Sequence, residues 1–280
     1  MRRLIINADD LGISQEVDIQ IEECIRRGVI TSSTLMANAP AFYDGIRIAK
    51  QYPQISVGVH LNLIEFAPLT NTDIFKKHGV VDDAGNFIEG AIFCVHIDDE
   101  LKQAVFEEWD AQINKVKSAG VIPTHCDSHQ HTHTIPAFRN VLCQVLNKHG
   151  IHCVRRKYVP SIRLMLRQKN RPTVKLDKSK AMLPPKRNVF YRRLHIFMVI
   201  RNCRKWNKQM LTQYTMTDGF FHFNSFYYDK KVLDMGGCNA TIELMCHPGL
   251  KAFQDETDIL MHDKSWIACN EYKLVSYKEL

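Results

Sequence analysis

Apolar and polar positions divide the first part of the chain into a strand–helix rhythm. Arg3-Leu-Ile-Ile-Asn-Ala8 is a short apolar run that turns polar at Asp9-Asp10-Leu-Gly12, as a buried strand does on entering a loop. Ser14 stands where a helix N-cap belongs, with acids in the turn that follows. Val17, Ile21, Cys24 and Ile25 then recur at helical spacing, and Gly28 ends the helix. Ser32-Ser-Thr-Leu-Met-Ala37 predicts a second strand, and Pro40 opens a second helix to about Gln51. Ile55-Ser-Val-Gly-Val-His-Leu-Asn-Leu63 predicts a third strand with His60 near its end. This order is the βαβ rhythm of a parallel sheet or barrel, an α/β fold.

Residues 65–97 show no sustained period, and Asp82-Asp-Ala-Gly-Asn86 is turn material. From Asp98 to Ala119 the period of 3.6 returns, with Leu101, Val105, Trp109, Ile113 and Val116 on one side and Gly120 after it. Pro123 to His133 predicts a strand and loop, Pro136 to Lys148 an amphipathic helix, and Ile151 to Val154 a short strand. Residues 189–213 predict a basic helix, Asn239 to Gly249 a last strand ending in a loop, and about 255–270 a closing helix.

Length and composition fit one large domain or two small ones. Nine cysteines without a Cys-x-x-Cys pair suit a reduced compartment better than a disulfide framework. With no leader visible and no apolar run long enough to cross a bilayer, the expected location is the cytoplasm. Charge changes the picture more. The net charge of +7 comes from residues 155–208, which hold eighteen Lys or Arg and one acid, Asp177. The remaining chain has nineteen bases against twenty-nine acids. A basic amphipathic helix suits an anionic membrane surface or an acidic partner. Its aromatics sit at helical spacing without a stacking motif, so nucleic acid is not expected as a partner.

The candidate chemistry concentrates in Pro123-Thr-His-Cys-Asp-Ser-His-Gln-His-Thr-His133, where His125, His129, His131 and His133 fall within nine residues. If the segment is extended, these four and Asp127 share one face. Asp9, Asp10, His60, His125, His129 and His247 all lie at or near predicted strand ends, which converge on one face of a parallel sheet or barrel. One Asp and two His make a three-ligand site with open positions, the arrangement of a catalytic metal. A second carboxylate and a further histidine supply a base and an acid for metal-assisted hydrolysis of an amide or ester. Gly-x-Ser-x-Gly, phosphate-loop, Gly-x-Gly-x-x-Gly and His-Glu-x-x-His patterns are all missing, which argues against a serine hydrolase, kinase or dehydrogenase.

Four blocks carry a family resemblance: Asn7-Ala-Asp-Asp-Leu-Gly12, Gly58-Val-His-Leu-Asn-Leu63, Pro123 to His133, and Cys246-His-Pro-Gly249. In order and spacing they resemble the signature blocks of the YdjC-like carbohydrate deacetylases, which include chitooligosaccharide deacetylases and a hopanoid-biosynthesis branch. The resemblance covers about 1–155 and 236–280. It implies a deformed (β/α) barrel over 1–280. Residues 155–235 depart from the family pattern and are expected to form a basic, partly helical, lid-like insertion. The resemblance implies a hydrolase of linear amides that removes the acetyl group from an N-acetylated sugar with one divalent metal ion. Asp10, His60 and His129 would hold the ion, Asp9 would be the base and His247 the acid, with the split between Asp9 and Asp10 open to reversal. His125, His131 and His133 would be outer or substrate-facing groups, and Asp127 would orient a ligand histidine. Magnesium, zinc, manganese and cobalt all remain open. The expected partner is the sugar, an anionic one or one at a membrane surface if the 155–208 charges face it, and a homodimer is open. The alternative is a barrel with little or no catalysis that docks an acidic partner or membrane through 155–208.

Overall fold

A computed structural model describes residues 1–159, 189–228, 239–263, 265–268 and 272–280, with the backbone alone at 189–195. The stretch 160–188, which carries nine of the eighteen bases of 155–208, lies outside the described residues, as does 229–238. The chain forms two compact units. One comprises Met1–Arg156 with Tyr214–Leu280, the other Lys157–Gln213.

The larger unit is an α/β fold on one parallel sheet that curls into a half-barrel. Its strands are β1 (Arg2–Leu11), β2 (Ser32–Leu35), β3 (Ser56–Leu61), β4 (Cys126–Ser128), β5 (Gly219–His222), β6 (Thr241–Cys246) and β7 (Tyr272–Leu274). They run in the order β4-β3-β2-β1-β6-β5, with β7 beside the start of β1. All these pairings are parallel. Single bridges from Cys126 to Val154 and from Cys153 to Thr215 continue the pairing beyond β4. The helices α1 (Gln15–Arg26), α2 (Phe42–Gln51), α3 (Asp73–Lys77), α4 (Asp99–Ser118) and α5 (Arg139–His149) follow in chain order. Strands read as near-continuous apolar runs because both faces are covered: Leu4, Ile5 and Ile6 are all fully buried.

Local chemistry sets the helix ends. Ser14 accepts from the Val17 amide and Asp98 from the Leu101 amide, each satisfying an otherwise orphaned N–H. Strand β2 stops two residues short of the predicted end. The strands β5 and β7 have no counterpart in the periodicity. The expected closing helix is two pieces, α8 (Gln254–His262) and α9 (Ser265–Ala268); α6 (Val189–Met210) and α7 (Phe223–Tyr228) precede them. The expected shared face of the histidine stretch does not form. Extended pairing ends at Ser128, and His129–Thr134 is a 3-10 run in which Gln130 and His131 take positive φ. That breaks the alternation that would have aligned the four imidazoles.

In the smaller unit, Ile196 and Ile200 of α6 pack against Val159, and Asn207 bonds both the N–H and the carbonyl of Lys157. Among the described residues no helix is long and apolar enough to cross a membrane.

One buried carboxyl in α1 gives a stability prediction. Asp18 Oδ1 accepts from the Gly12 amide at 2.7 Å, while Oδ2 is buried without a partner among the described residues. Burial pushes this carboxyl up to about 7, against the pull of the Gly12 N–H. The folded state therefore binds a proton that the unfolded state has lost above the ordinary Asp pKa. The stability from that proton is full below the unfolded pKa and is lost as pH rises to about 7. Asp18→Asn should be more stable than wild type at pH 8 by on the order of 2 kcal/mol, with the gap closing toward pH 4. Urea midpoints of both proteins across that range check it; a constant gap would refute it.

Candidate functional site

The site is built at the C-terminal ends of the strands, where a parallel α/β sheet gathers its loops. In a regular strand Asp9 and Asp10 would face opposite sides. Here the β1–β2 register slips between Ala8 and Leu11, and Asp10 takes φ 66°. A bulge of this kind re-aims side chains, and a left-handed aspartate costs of order 1 kcal/mol or more, held by its surroundings. Both carboxylates turn into one buried cluster.

Asp10 Oδ1 lies 2.8 Å from His129 Nδ1 and 3.2 Å from His60 Nε2. These three residues offer donor atoms within 4.8 Å of one another, so they can hold a metal ion. His60 Nδ1 lies 2.6 Å from Asp127 Oδ1, its register partner across β3 and β4. With a proton on that Nδ1, the Nε2 lone pair faces Asp10. Thr34 of β2 donates to Asp127 Oδ2 at 3.2 Å.

Asp9 makes a different set of contacts. Arg155 Nη1 and Nη2 each reach one of its oxygens at 2.6 Å, a bidentate pair, and Asn7 Nδ2 donates to Oδ1 at 2.9 Å. The same guanidinium reaches Asp127 Oδ2 at 2.6 Å and Glu243 Oε1 at 2.7 Å. Two further groups could in principle bind metal: Asp9 with His60 and Asp127, and His78 with Asp98 and Glu100. The first has both its carboxylates taken by Arg155. In the second, Glu100 pairs with Lys77 and Asp98 caps α4.

Electrostatics also favours a cation at Asp10. Asp9, Asp10, Asp127 and Glu243 are all 2% exposed or less, and the buried Arg155 guanidinium pairs with Asp9, Asp127 and Glu243. Burial alone would push Asp9 and Asp10 up. Arg155 outweighs it at Asp9, and His129 with His60 at Asp10, so both stay well below the usual carboxylate range. Burial likewise disfavours charge on His60 and His129, but Asp127 with Asp10 raises His60 to about 10, and Asp10 raises His129 to about 9. A divalent ion with neutral imidazoles would balance the same carboxylate charge as protons on both rings. Glu243, with only a share of Arg155, is pushed up by burial to about 7.

His247 follows β6. Its backbone N–H donates to the buried Glu256 at 2.9 Å, its ring stacks on Phe253 at 4.3 Å, and its Nδ1 lies 3.6 Å from Glu256. Burial lowers its pKa, but Glu256, Asp9 and Asp10 together raise it above the ordinary value. The other histidines are not part of the Asp10 group, and His131 and His133 meet edge-on with centroids 6.4 Å apart. His125 is fully buried beneath the cluster, against Asn7 and Tyr277. His131 meets Phe220 edge-on, and His133 Nδ1 lies 2.6 Å from Ser128 Oγ. Arg155 escapes the sequence reading because it stands first in a run of surface-like bases. Glu243 left a usable signal, a charge inside the apolar strand Thr241–Cys246: such a group must be paired.

Together these features define an α/β half-barrel with a metal-capable Asp/His cluster at its strand ends. The chain belongs to the YdjC-like protein family, whose sequence profile matches residues 3–276. A carbohydrate deacetylase of Clostridium beijerinckii is 34% identical over 153 residues, covering 53% of this chain and 58% of that protein. A carbohydrate deacetylase of Halalkalibacterium halodurans is 34% identical over 150 residues, covering 53% and 62%. The chain thus spans little more than half the length of the curated relatives it matches. A crystal structure from Enterococcus faecalis V583, of a protein provisionally named for cellobiose-phosphate cleavage, shares the fold. It has a TM-score of 0.68 and 23% identity, over 99% of this chain and 98% of that one.

Proposed function

We propose that the protein is a metal-dependent hydrolase that removes the acetyl group from an N-acetylated sugar. The observation that carries this reading is the convergence of Asp10, His60 and His129, with Asp9 and His247 close enough to act on one another by charge. The names of the relatives support the substrate class. Asp10, His60 and His129 would hold a divalent ion, which when bound supplies a polarised carbonyl and a water of lowered pKa. Asp9, kept ionised by Arg155, accepts a proton on a lone pair that the guanidinium leaves free. It is a weak base in this setting, so the proton it takes has to be acidified first. His247, with its raised pKa, holds a proton near neutrality and gives it to the departing amine. Asp127 keeps His60 in one tautomer.

Acetate release tests this. Metal-stripped protein would be assayed on N-acetylglucosamine, chitobiose, their phosphates and a nucleotide-linked N-acetyl sugar, with zinc, cobalt, manganese or magnesium restored. Release that depends on added metal is the expected result. No release from any sugar, by protein shown to be folded and metal-loaded, rejects the reading.

A second reading has one observation behind it. The solvent face of α6 holds Arg201, Arg204, Lys205 and Lys208 with Phe197 61% and Met198 46% exposed. This suits an anionic membrane surface, where each basic residue contributes about 1 kcal/mol. Glutamate at all four bases should then reduce binding to phosphatidylglycerol vesicles by at least about a hundredfold. Equal sedimentation of both proteins with such vesicles removes this reading.

A further inference from the structure

The last turn of the chain enters the base of the half-barrel. Tyr277 is 2% exposed, and its hydroxyl donates to Glu243 Oε2 at 2.6 Å. Glu243 Oε1 accepts from Arg155 Nε at 2.7 Å, and the other two guanidinium nitrogens grip Asp9. The Tyr277 ring also stacks on His125, with centroids 3.7 Å apart and planes 9° from parallel. His125 Nε2 lies 3.2 Å from Asn7 Oδ1, and Asn7 Nδ2 donates to Asp9 Oδ1. Two arms therefore leave one tyrosine and end on one carboxylate.

The surrounding chain fixes this tyrosine. Ser276 and Glu279 form a capping box around it. Lys278 donates from its backbone to Ser56 Oγ and from Nζ to the carbonyls of Pro53 and Ile55, and Arg3 donates to the Glu279 carbonyl. Gly58 makes room for the His125 ring on which Tyr277 stacks: a Cβ there would fall 2.6 Å from the His125 carbonyl and 2.7 Å from its ring.

We infer that Tyr277 is a positioning residue for Asp9, its hydroxyl acting through Glu243 to fix the Arg155 guanidinium. This rests on the reading of Asp9 as proton acceptor. A carboxylate bound at one oxygen can swing about its terminal torsion, and the hydroxyl on Oε2 removes that freedom. Arg155 Nε is then held in one plane, and a fork held in plane meets both Asp9 oxygens at once. Misplacement by about 1 Å in such a site costs up to roughly a hundredfold in rate.

The test compares Tyr277→Phe, Glu243→Gln and the double variant in metal-loaded full-length protein. Tyr277→Phe keeps the ring on His125 and removes the hydroxyl alone, so lost packing is not what is measured. Its kcat for acetate release should fall about tenfold, with KM changed less than about twofold. The double variant should be no slower than Glu243→Gln, because both changes cut the same arm. Wild-type kcat in Tyr277→Phe, or losses that multiply in the double variant, overturns the inference while the deacetylase reading stands. If wild type releases no acetate, that reading fails by itself, and the Arg155 Nε–H resonance decides. Exchange accelerated about tenfold in Tyr277→Phe supports the inference, and unchanged exchange overturns it.

Discussion

Arg155→Met should lower the free energy of unfolding by about 3–5 kcal/mol at pH 8. Methionine nearly matches the length of the arginine stem and supplies none of its hydrogen bonds. Asp9 would lose its bidentate partner, Asp127 the ionic one of its two contacts at Oδ2, and Glu243 its contact at Oε1. The cost comes from leaving these carboxylates buried, not from the intrinsic worth of the pairs. The pH dependence identifies this cause. Arg155 holds Asp9 below the usual range, and the stability this gives is present above the unfolded pKa and lost as pH falls through the folded one. In Arg155→Met the carboxyls can protonate instead, so the penalty should shrink toward pH 5. Arg155→Lys should recover less than half of the loss, because an ammonium restores the charge and not the fork. Urea midpoints at both pH values measure all of this. A shift under about 1 kcal/mol at pH 8 would mean that water or a local rearrangement relieves the cluster.

The same arginine marks where sequence reading stops. The strands that carry Asp9, Asp10 and His60, and the one before His247, are legible because an apolar run ends on a polar residue, a local signal. The helices α1, α4 and α5 are legible through local signals too, their period and caps, and α2 through Pro40. Three features depend on non-local contacts. The bulge that turns Asp9 and Asp10 into one cluster is a property of the β1–β2 register. The positive φ at Gln130 and His131 sends His129 to Asp10 and His131 to Phe220, where alternation predicts one face. Arg155 is buried only because strands far apart in sequence bring acids to it, and by composition it belongs with the surface bases that follow. The short strands β5 and β7 are defined by their pairing with β6 and β1, not by any pattern of their own.

Asp9→Ala and Asp10→Ala should fail in different ways although the two residues are adjacent. Asp9→Ala should reduce kcat for acetate release by about 10²–10⁴-fold, the range for a lost proton acceptor. Its zinc or cobalt affinity should stay within a few-fold of wild type, because Asp9 faces Arg155 and Asn7. The fold should survive, since Arg155 keeps Asp127 and Glu243. Asp10→Ala removes a carboxylate that both His60 and His129 face. Metal affinity should fall by more than the roughly 10–100-fold seen when an outer supporting group is lost, and activity should fall with it. Excess metal should restore part of the rate in Asp10→Ala and none in Asp9→Ala. Metal titration beside turnover separates the cases. If Asp9→Ala loses the metal and Asp10→Ala keeps it, the roles are reversed, and Arg155 would be gripping a metal ligand. That outcome is disfavoured by charge, because a carboxylate already neutralised by a bidentate guanidinium has little left to offer a cation, whereas Asp10 has only two imidazoles, each of which can give up its proton.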